Sequence, residues 1–167
     1  MIIPIEQESE AQPTDRIASA MSAAPEGIDR DARIVDYPAV APDPLIELRA
    51  GNNGWTCFPD WLATPGNDPQ CLDKTWMEWN DAYAAGKEPK VTSVGIAYML
   101  QGGSDASYTD PFAMEPTPGQ DWLHTPPTIM VIAPGKLDPA LFPTHQPCPA
   151  PNLLGACPPS QPPMAPP

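Results

Sequence analysis

The order of apolar and polar positions along the chain predicts five short strands. Two segments, residues 91–100 and 128–133, are the strongest strand candidates; the first is apolar on both faces over its second half and the second is similar, which is typical of strands that are covered on both faces. Three shorter runs, residues 33–37, 45–49 and 54–58, are bounded by proline-rich or glycine-rich turns, as strands usually are. We expect four or five of these segments to pair in one small mixed sheet.

Two helices accompany the strands. Thr14 has the character of an N-cap, and Pro25 ends the first helix, in which apolar residues recur at helical spacing. Asp73 is placed to cap the second helix and Gly86 to end it. The apolar stripe of the second helix is largely aromatic and consists of Leu72, Trp76, Trp79 and Tyr83. We expect the stripe to pack on the sheet, because a sugar-binding platform would need the same rings exposed. The predicted fold class is α+β.

The uneven distribution of proline predicts the domain limits. Of the 27 prolines, nine fall in residues 147–167, a stretch without a charged residue or hydrophobic periodicity. Such a stretch buries too little apolar surface to offset the entropy of ordering it. We predict a disordered segment over residues 1–12, a single α+β domain over 13–144, and an extended or disordered proline-rich tail over 145–167.

The net charge of −13, with only eight basic residues, argues against two classes of partner. Phosphate backbones and anionic lipid surfaces would repel such a chain, so we expect neither nucleic acid nor membrane to be a partner. No run approaches the roughly 20 apolar residues that a membrane span needs. No signal peptide is visible at the start, so either the protein is cytosolic or an export signal has been removed or lies upstream.

Cys57 and Cys71 bear on the compartment, because they bracket a loop rich in Pro, Gly, Asn and Asp. A disulfide closing this loop would stabilise the fold by about 3 kcal/mol in an oxidising compartment. Two free thiols are the alternative, whereas a zinc site lacks a C-x2-C pair or a nearby histidine. We predict the disulfide and an extracytoplasmic location, either periplasmic or secreted. Pairing of Cys148 with Cys157 stays open.

The segment between the two apolar runs, residues 101–127, holds the candidate chemistry. It leaves the end of a strand, where ligands commonly bind in α/β sheets, and it is longer than most loops. Two adjacent glycines would let a ligand approach the backbone, and the hydroxyls and carboxylates that follow offer hydrogen bonds. The predicted ligand- or partner-binding residues are Gly102, Gly103, Ser104, Asp105, Ser107 and Asp110.

Four interpretations of this segment are open. A calcium loop would use Asp105, Ser107 and Asp110, although the glycine and glutamate of an EF-hand are missing. An acyl-transfer site would use Ser104 as nucleophile, His124 as base and an aspartate such as Asp105, without a nucleophile-elbow sequence around the serine. A turn held by its own side-chain hydrogen bonds is the third. A glycosidase is the fourth and would need a carboxylate pair drawn from Asp105, Asp110, Glu115 and Asp121.

Four segments are distinctive when taken together: LRAGNNGWTCFPD, TPGNDPQCLDKTWMEW, GIAYMLQGGSDASYTDPFA and TPPTIMVIAPG. In combination they resemble a family of signal-peptide-bearing bacterial proteins, and the resemblance covers residues 15–144. The resemblance implies an exported domain. It implies no activity, because none is known for the family.

The tail departs from the family's pattern. Its members continue past the last strand with a Gly-Gly-Pro-Trp segment and a closing strand, whereas this chain continues after Thr144 as HQPCPAPNLLGACPPSQPPMAPP. Proline- and alanine-rich sequence of this kind results when a GC-rich gene is read out of frame. We hypothesise that the tail is a frame-shifted or divergent replacement of that strand. A gene without a GGPW-like continuation in any reading frame would contradict the hypothesis.

These observations favour a protein that works by binding, either to a small ligand or as an accessory subunit of an assembly, without catalytic activity. A hydrolase that uses Ser104, His124 and an aspartate is the alternative. No motif for a nucleotide, haem or zinc group is present, so no cofactor and no metal are expected.

Overall fold

A computed structural model of the chain describes residues 13–40, 43–107, 113–135 and 138. The chain divides into two compact units, residues 1–134 and 135–167. The elements described all belong to the first unit, and they are α1 (Pro13–Met21), α2 (Glu26–Asp29), β1 (Arg33–Asp36), β2 (Ile46–Arg49), β3 (Thr56–Phe58), β4 (Gln70–Leu72), α3 (Lys74–Ala84), β5 (Gly95–Met99), β6 (Gly103–Asp105), β7 (Leu123–Thr125) and β8 (Thr128–Ile132). The predicted tail, residues 145–167, and the predicted N-terminal segment, residues 1–12, lie outside the described residues.

The predicted α+β class with a mixed sheet is confirmed. Six strands form one sheet in the order β2-β1-β3-β4-β5-β8, and β6 pairs with β7 in a separate hairpin. β1 and β3 run parallel, while the other neighbours in the large sheet are antiparallel. The sheet thus has one strand more than the upper limit predicted, and the described helices number three instead of two. None of the described helices is long and apolar enough to cross a membrane.

β3 and β4 form a hairpin at the centre of the sheet, and the predicted disulfide closes it. Cys57 and Cys71 lie directly opposite each other, with their Cα atoms 4.0 Å apart, and both are fully buried. β4 lies in a segment whose loop-like composition predicts no strand. β4 pairs with β3 along one edge and with β5 along the other, and its residues Cys71 and Leu72 are buried. These tertiary contacts override the local preference for a loop.

α3 begins and ends at the residues that the sequence predicts. Asp73 is the N-cap, and its Oδ1 accepts a hydrogen bond of 2.9 Å from the backbone N–H of Trp76. Its Oδ2 accepts from the backbone N–H of Ile96 at 2.7 Å, so the same carboxylate joins α3 to β5. At the other end Gly86 adopts φ +63°, and its N–H donates to the Tyr83 carbonyl while that of Lys87 donates to Ala82, which is a Schellman motif.

The helices cover opposite faces of the large sheet. α1 packs on β1, β2, β3 and β4 over a buried cluster that contains both cysteines and Ile34. α3 packs on β4 and β5, where Trp76 and Met77 contact a second cluster around Phe58 and Leu72.

Two β8 side chains on the same face of the sheet as α1 are exposed to solvent. Ile129 and Val131 lie opposite Tyr98 and Ile96 and are 55% and 44% exposed. Within the described residues, β8 is the last strand of the sheet. The large sheet therefore presents an apolar surface at this edge.

Candidate functional site

A cavity of about 380 Å³ lies where the end of β1, the loop of residues 59–69, α3 and the β6–β7 hairpin meet. Its volume falls in the range of small-ligand sites, roughly 300–1,000 Å³. Tyr83 reaches it from α3, Met99 from the end of β5, and Ser104 and Asp105 from β6. The site is thus assembled from segments that are far apart in the sequence.

Four aromatic side chains form much of the cavity wall: Tyr37, Trp61, Tyr83 and Trp122. The ring centroids of Tyr37 and Trp61 are 6.2 Å apart, and Tyr37 also lies 5.5 Å from Phe58, which is buried in the core. Tyr83 is stacked on Trp79 with centroids 5.2 Å apart. Tyr37 and Tyr83 therefore pack on rings outside the lining, and Trp61 remains 37% exposed.

Tyr37 also carries a polar group into the cavity. Its hydroxyl accepts a hydrogen bond of 3.3 Å from the side-chain amide of Gln70, another lining residue. Burial raises the pKa of Tyr37 to about 12, an effect that the Gln70 hydrogen bond partly offsets. The phenol is therefore neutral over the physiological pH range and available as a hydrogen-bond partner.

Asp68 contributes a nearly buried carboxyl group, with the residue 8% exposed. Its Oδ1 accepts from the backbone N–H of Trp61 at 3.1 Å and its Oδ2 from the hydroxyl of Thr64, while its own N–H donates to Asp60. Burial raises the pKa of the Asp68 carboxyl, and the two accepted hydrogen bonds offset part of that effect. The described donors to this carboxyl group are neutral, so its negative charge is not compensated by an ion pair.

Arg16 lies close enough to act electrostatically on Tyr37, but its hydrogen bonds are used elsewhere. Its Nε and Nη2 donate to the two carboxylate oxygens of Asp36, at 2.8 and 2.6 Å, and its Nη1 donates to the Asp60 carbonyl. The hydrogen bond from Arg16 lowers the pKa of Asp36. Among the described residues that line the cavity, none is lysine, arginine or histidine.

The β6–β7 hairpin brings together the residues of the predicted acyl-transfer site. Ser104 lies directly opposite His124, and Asp105 accepts a hydrogen bond of 2.8 Å from the hydroxyl of Thr125. The Ser104 hydroxyl is buried and makes no hydrogen bond, and it lies so near Gly66 that a Cβ there would approach it to 2.2 Å. His124 is exposed. The two residues are cross-strand neighbours without the hydrogen bond that would activate the serine.

The two glycines of the predicted binding segment are buried by close packing with protein atoms. Gly102 adopts φ +84°, and a Cβ on it would lie 2.5 Å from the Thr125 carbonyl. A Cβ on Gly103 would lie 2.8 Å from the side chain of Met99 and 3.3 Å from Asp68. Gly102 therefore needs glycine, because its φ is positive and its neighbour is backbone, whereas at Gly103 the flexible end of the Met99 side chain could move.

The other predicted site residues are dispersed. Ser107 is half-buried, and Glu115 and Asp121 are exposed, while Asp110 lies outside the described residues, as do Cys148 and Cys157. Over the described ranges, no three His, Cys, Asp or Glu side chains are close enough to hold a metal ion.

Sequence reasoning missed the residues that give the cavity its character. Tyr37 ends a predicted strand, and Trp61 and Asp68 lie in the loop that the two cysteines bracket. They share no local signal, because Tyr37 lies outside residues 59–69 and that loop holds only one aromatic and two acidic residues. The sequence therefore does not reveal which residues of distant segments they meet.

The chain matches no protein-family profile, no curated protein sequence and no solved structure.

Proposed function

We propose that this chain is an exported protein that binds a small ligand in the aromatic cavity and catalyses no reaction on it. The cavity itself carries the proposal. It has the volume of a ligand site, and its aromatic walls are interrupted by a few polar groups, among them the Tyr37 hydroxyl and the Asp105 carboxyl group. Of the predicted binding segment, Asp105 would then act as a polar ligand contact, whereas the Ser104 hydroxyl is buried against Gly66.

Two observations support the exported location within this proposal. The Cys57–Cys71 disulfide is of the kind that persists in oxidising compartments. The resemblance to signal-peptide-bearing bacterial proteins implies the same compartment. Detection of the native protein in the cytosolic fraction, with both thiols reduced, would contradict this part of the proposal.

A thermal-shift screen tests ligand binding. We expect at least one compound of a mixed panel of sugars, carboxylates, amines and amino acids to raise the melting temperature, because a ligand that binds only the folded state stabilises it. Trp61→Ala should abolish the shift. Leu62→Ala is the matched control, because Leu62 is the next residue of the same loop, is 74% exposed and is not among the cavity residues. A shift that both variants retain would place the binding site elsewhere.

Hydrolysis is the second candidate, and the pairing of Ser104 with His124 is the observation that favours it. A serine-directed covalent probe distinguishes the two proposals. Labelling that disappears in both Ser104→Ala and His124→Ala would support an activated serine. Absence of labelling, or labelling that Ser104→Ala leaves unchanged, would discard the hydrolase.

A further inference from the structure

We propose that the cavity takes an organic cation, namely an ammonium group carried on an apolar body. This inference rests on the proposed function and names the chemical class of the ligand. It follows from the cavity's charged groups, its ring surfaces and the absence of competing cations from its described lining.

The charged groups of the described lining have one sign. Asp68 and Asp105 are the two carboxyl groups of that described lining, and their described hydrogen-bond donors are the neutral groups of Trp61, Thr64 and Thr125. An anionic ligand would meet these carboxylates without a basic residue of the lining to compensate it. A cation would instead supply the counter-charge that the described lining lacks, and beside the nearly buried Asp68 its attraction would be less screened than beside the exposed Asp105.

The ring surfaces favour the same charge. An aromatic face carries the negative end of the ring's quadrupole, so it attracts an ammonium group placed within about 6 Å of the ring centre. Tyr37 and Trp61 are inclined at 42° with centroids 6.2 Å apart, which gives two neighbouring rings of one wall. Tyr83 and Trp122 add rings to the lining.

The apolar body follows from the remaining lining. Met99, Ala106, Ala113 and Met114 supply aliphatic surface, and Met114 is 65% exposed. A small, strongly hydrated metal ion would gain nothing from such surface, whereas methyl or alkyl groups on nitrogen would be buried against it. The net charge of −13 would also raise the local concentration of cationic ligands.

Choline and its neutral carbon isostere, 3,3-dimethylbutan-1-ol, form the probe pair, because they share shape and hydroxyl and differ in charge. Isothermal titration of the full chain should show choline binding at least about tenfold more tightly than the isostere.

Trp61→Ala should weaken choline binding about tenfold, and Leu62→Ala should leave it unchanged. Asp105→Asn should weaken it severalfold and reduce its salt dependence. The exposed Asp31→Asn, which makes the same charge change outside the lining, should do neither.

The possible outcomes separate this inference from the proposed function. Equal binding of choline and the isostere, sensitive to Trp61→Ala, would overturn the cationic class and leave the cavity as a ligand site. Failure of both probes to bind, with a Trp61-dependent hit among the sugars or carboxylates of the thermal screen, would do the same. No Trp61-dependent binding of any compound would overturn both. Circular dichroism of each variant distinguishes lost binding from lost folding.

Discussion

At the scale of single residues, two carboxyl groups near the cavity show how the partner decides the direction of a pKa shift. Asp36 and Asp68 are both largely removed from water, and burial alone raises the pKa of a carboxyl group. Asp36 has Arg16 as a bidentate partner, so its pKa is lowered. Burial raises the pKa of Asp68, the neighbouring Asp60 adds to this effect, and the hydrogen bonds from Thr64 and Trp61 offset only part of it. The first arrangement stabilises the fold, and the second leaves a carboxyl group suited to a cationic ligand.

The Arg16–Asp36 pair predicts a pH-dependent loss of stability on substitution. Because the folded-state pKa of Asp36 lies below its unfolded value of about 3.9, its contribution is complete above that value and is lost as the pH falls through the folded pKa. We expect Asp36→Asn to lower the free energy of unfolding by about 2 kcal/mol near neutral pH, and the difference from wild type to shrink below about pH 4. Urea unfolding at a series of pH values measures it.

Glu47→Gln is the control for burial. Arg33 and Glu47 form an ion pair with the same shortest N–O distance of 2.6 Å, but their side chains are 41% and 49% exposed, against 13% and 18% for Arg16 and Asp36. Solvent screening should limit the cost of Glu47→Gln to about 0.5 kcal/mol or less. Equal losses in the two variants would show that burial of the Arg16–Asp36 pair is not what makes it important.

At the scale of elements, what could be predicted depended on whether the signal was local. The caps of α3 are local, because Asp73 and Gly86 adjoin the helix, and both were predicted. The Cys57–Cys71 disulfide could be predicted from a loop of plausible length. β4 could not, because its three residues become a strand through pairing on both sides. The cavity could not either, since Tyr37 and Trp122 lie 85 positions apart and share no local pattern.

The double role of Asp73 predicts a cost larger than that of an ordinary cap. An N-cap substitution by alanine typically costs about 1 kcal/mol, and Asp73→Ala also leaves the N–H of Ile96 without its side-chain acceptor. We expect a loss of about 2 kcal/mol in the free energy of unfolding, measured by urea denaturation. Asp81→Ala on the same helix is the control, because Asp81 is exposed and lies in the half of α3 where a negative charge opposes the helix dipole. A loss for Asp73→Ala no larger than that for Asp81→Ala would refute the bridging role.

The disulfide predicts a second effect at this scale. Closing a loop with a sequence separation of 14 should stabilise the fold by about 3 kcal/mol through the unfolded state. The Cys57→Ala, Cys71→Ala double variant should lose at least that much, since both side chains are fully buried and their removal also leaves a cavity. Differential scanning calorimetry of the variant and the oxidised wild type gives the difference. An unchanged melting temperature would show that the disulfide does not stabilise the fold.

At the scale of the whole molecule, the acidic charge and the apolar surface at β8 have opposite effects on association. A net charge of −13 repels identical chains, whereas exposed Ile129 and Val131 on a strand at the sheet edge favour contact with another protein. The ligand-binding proposal needs only one chain, because every described lining residue of the cavity comes from it. An accessory role in an assembly would instead use a surface such as that of β8.

Native mass therefore decides between the ligand-binding and accessory roles at this scale. For the purified chain at low salt, where charge repulsion is least screened, we expect a single particle at 17.9 kDa, two hydrogens light for the Cys57–Cys71 disulfide. Pairing of Cys148 with Cys157 would remove two further hydrogens and would answer that open question.

A larger particle from the native source would favour the accessory role, and its other components would then identify the assembly. In that case Val131→Lys tests the β8 surface, because a lysine on an edge strand opposes pairing. Dissociation by Val131→Lys but not by Leu62→Lys, another exposed position, would locate the contact at β8, and no effect of either would remove β8 from consideration.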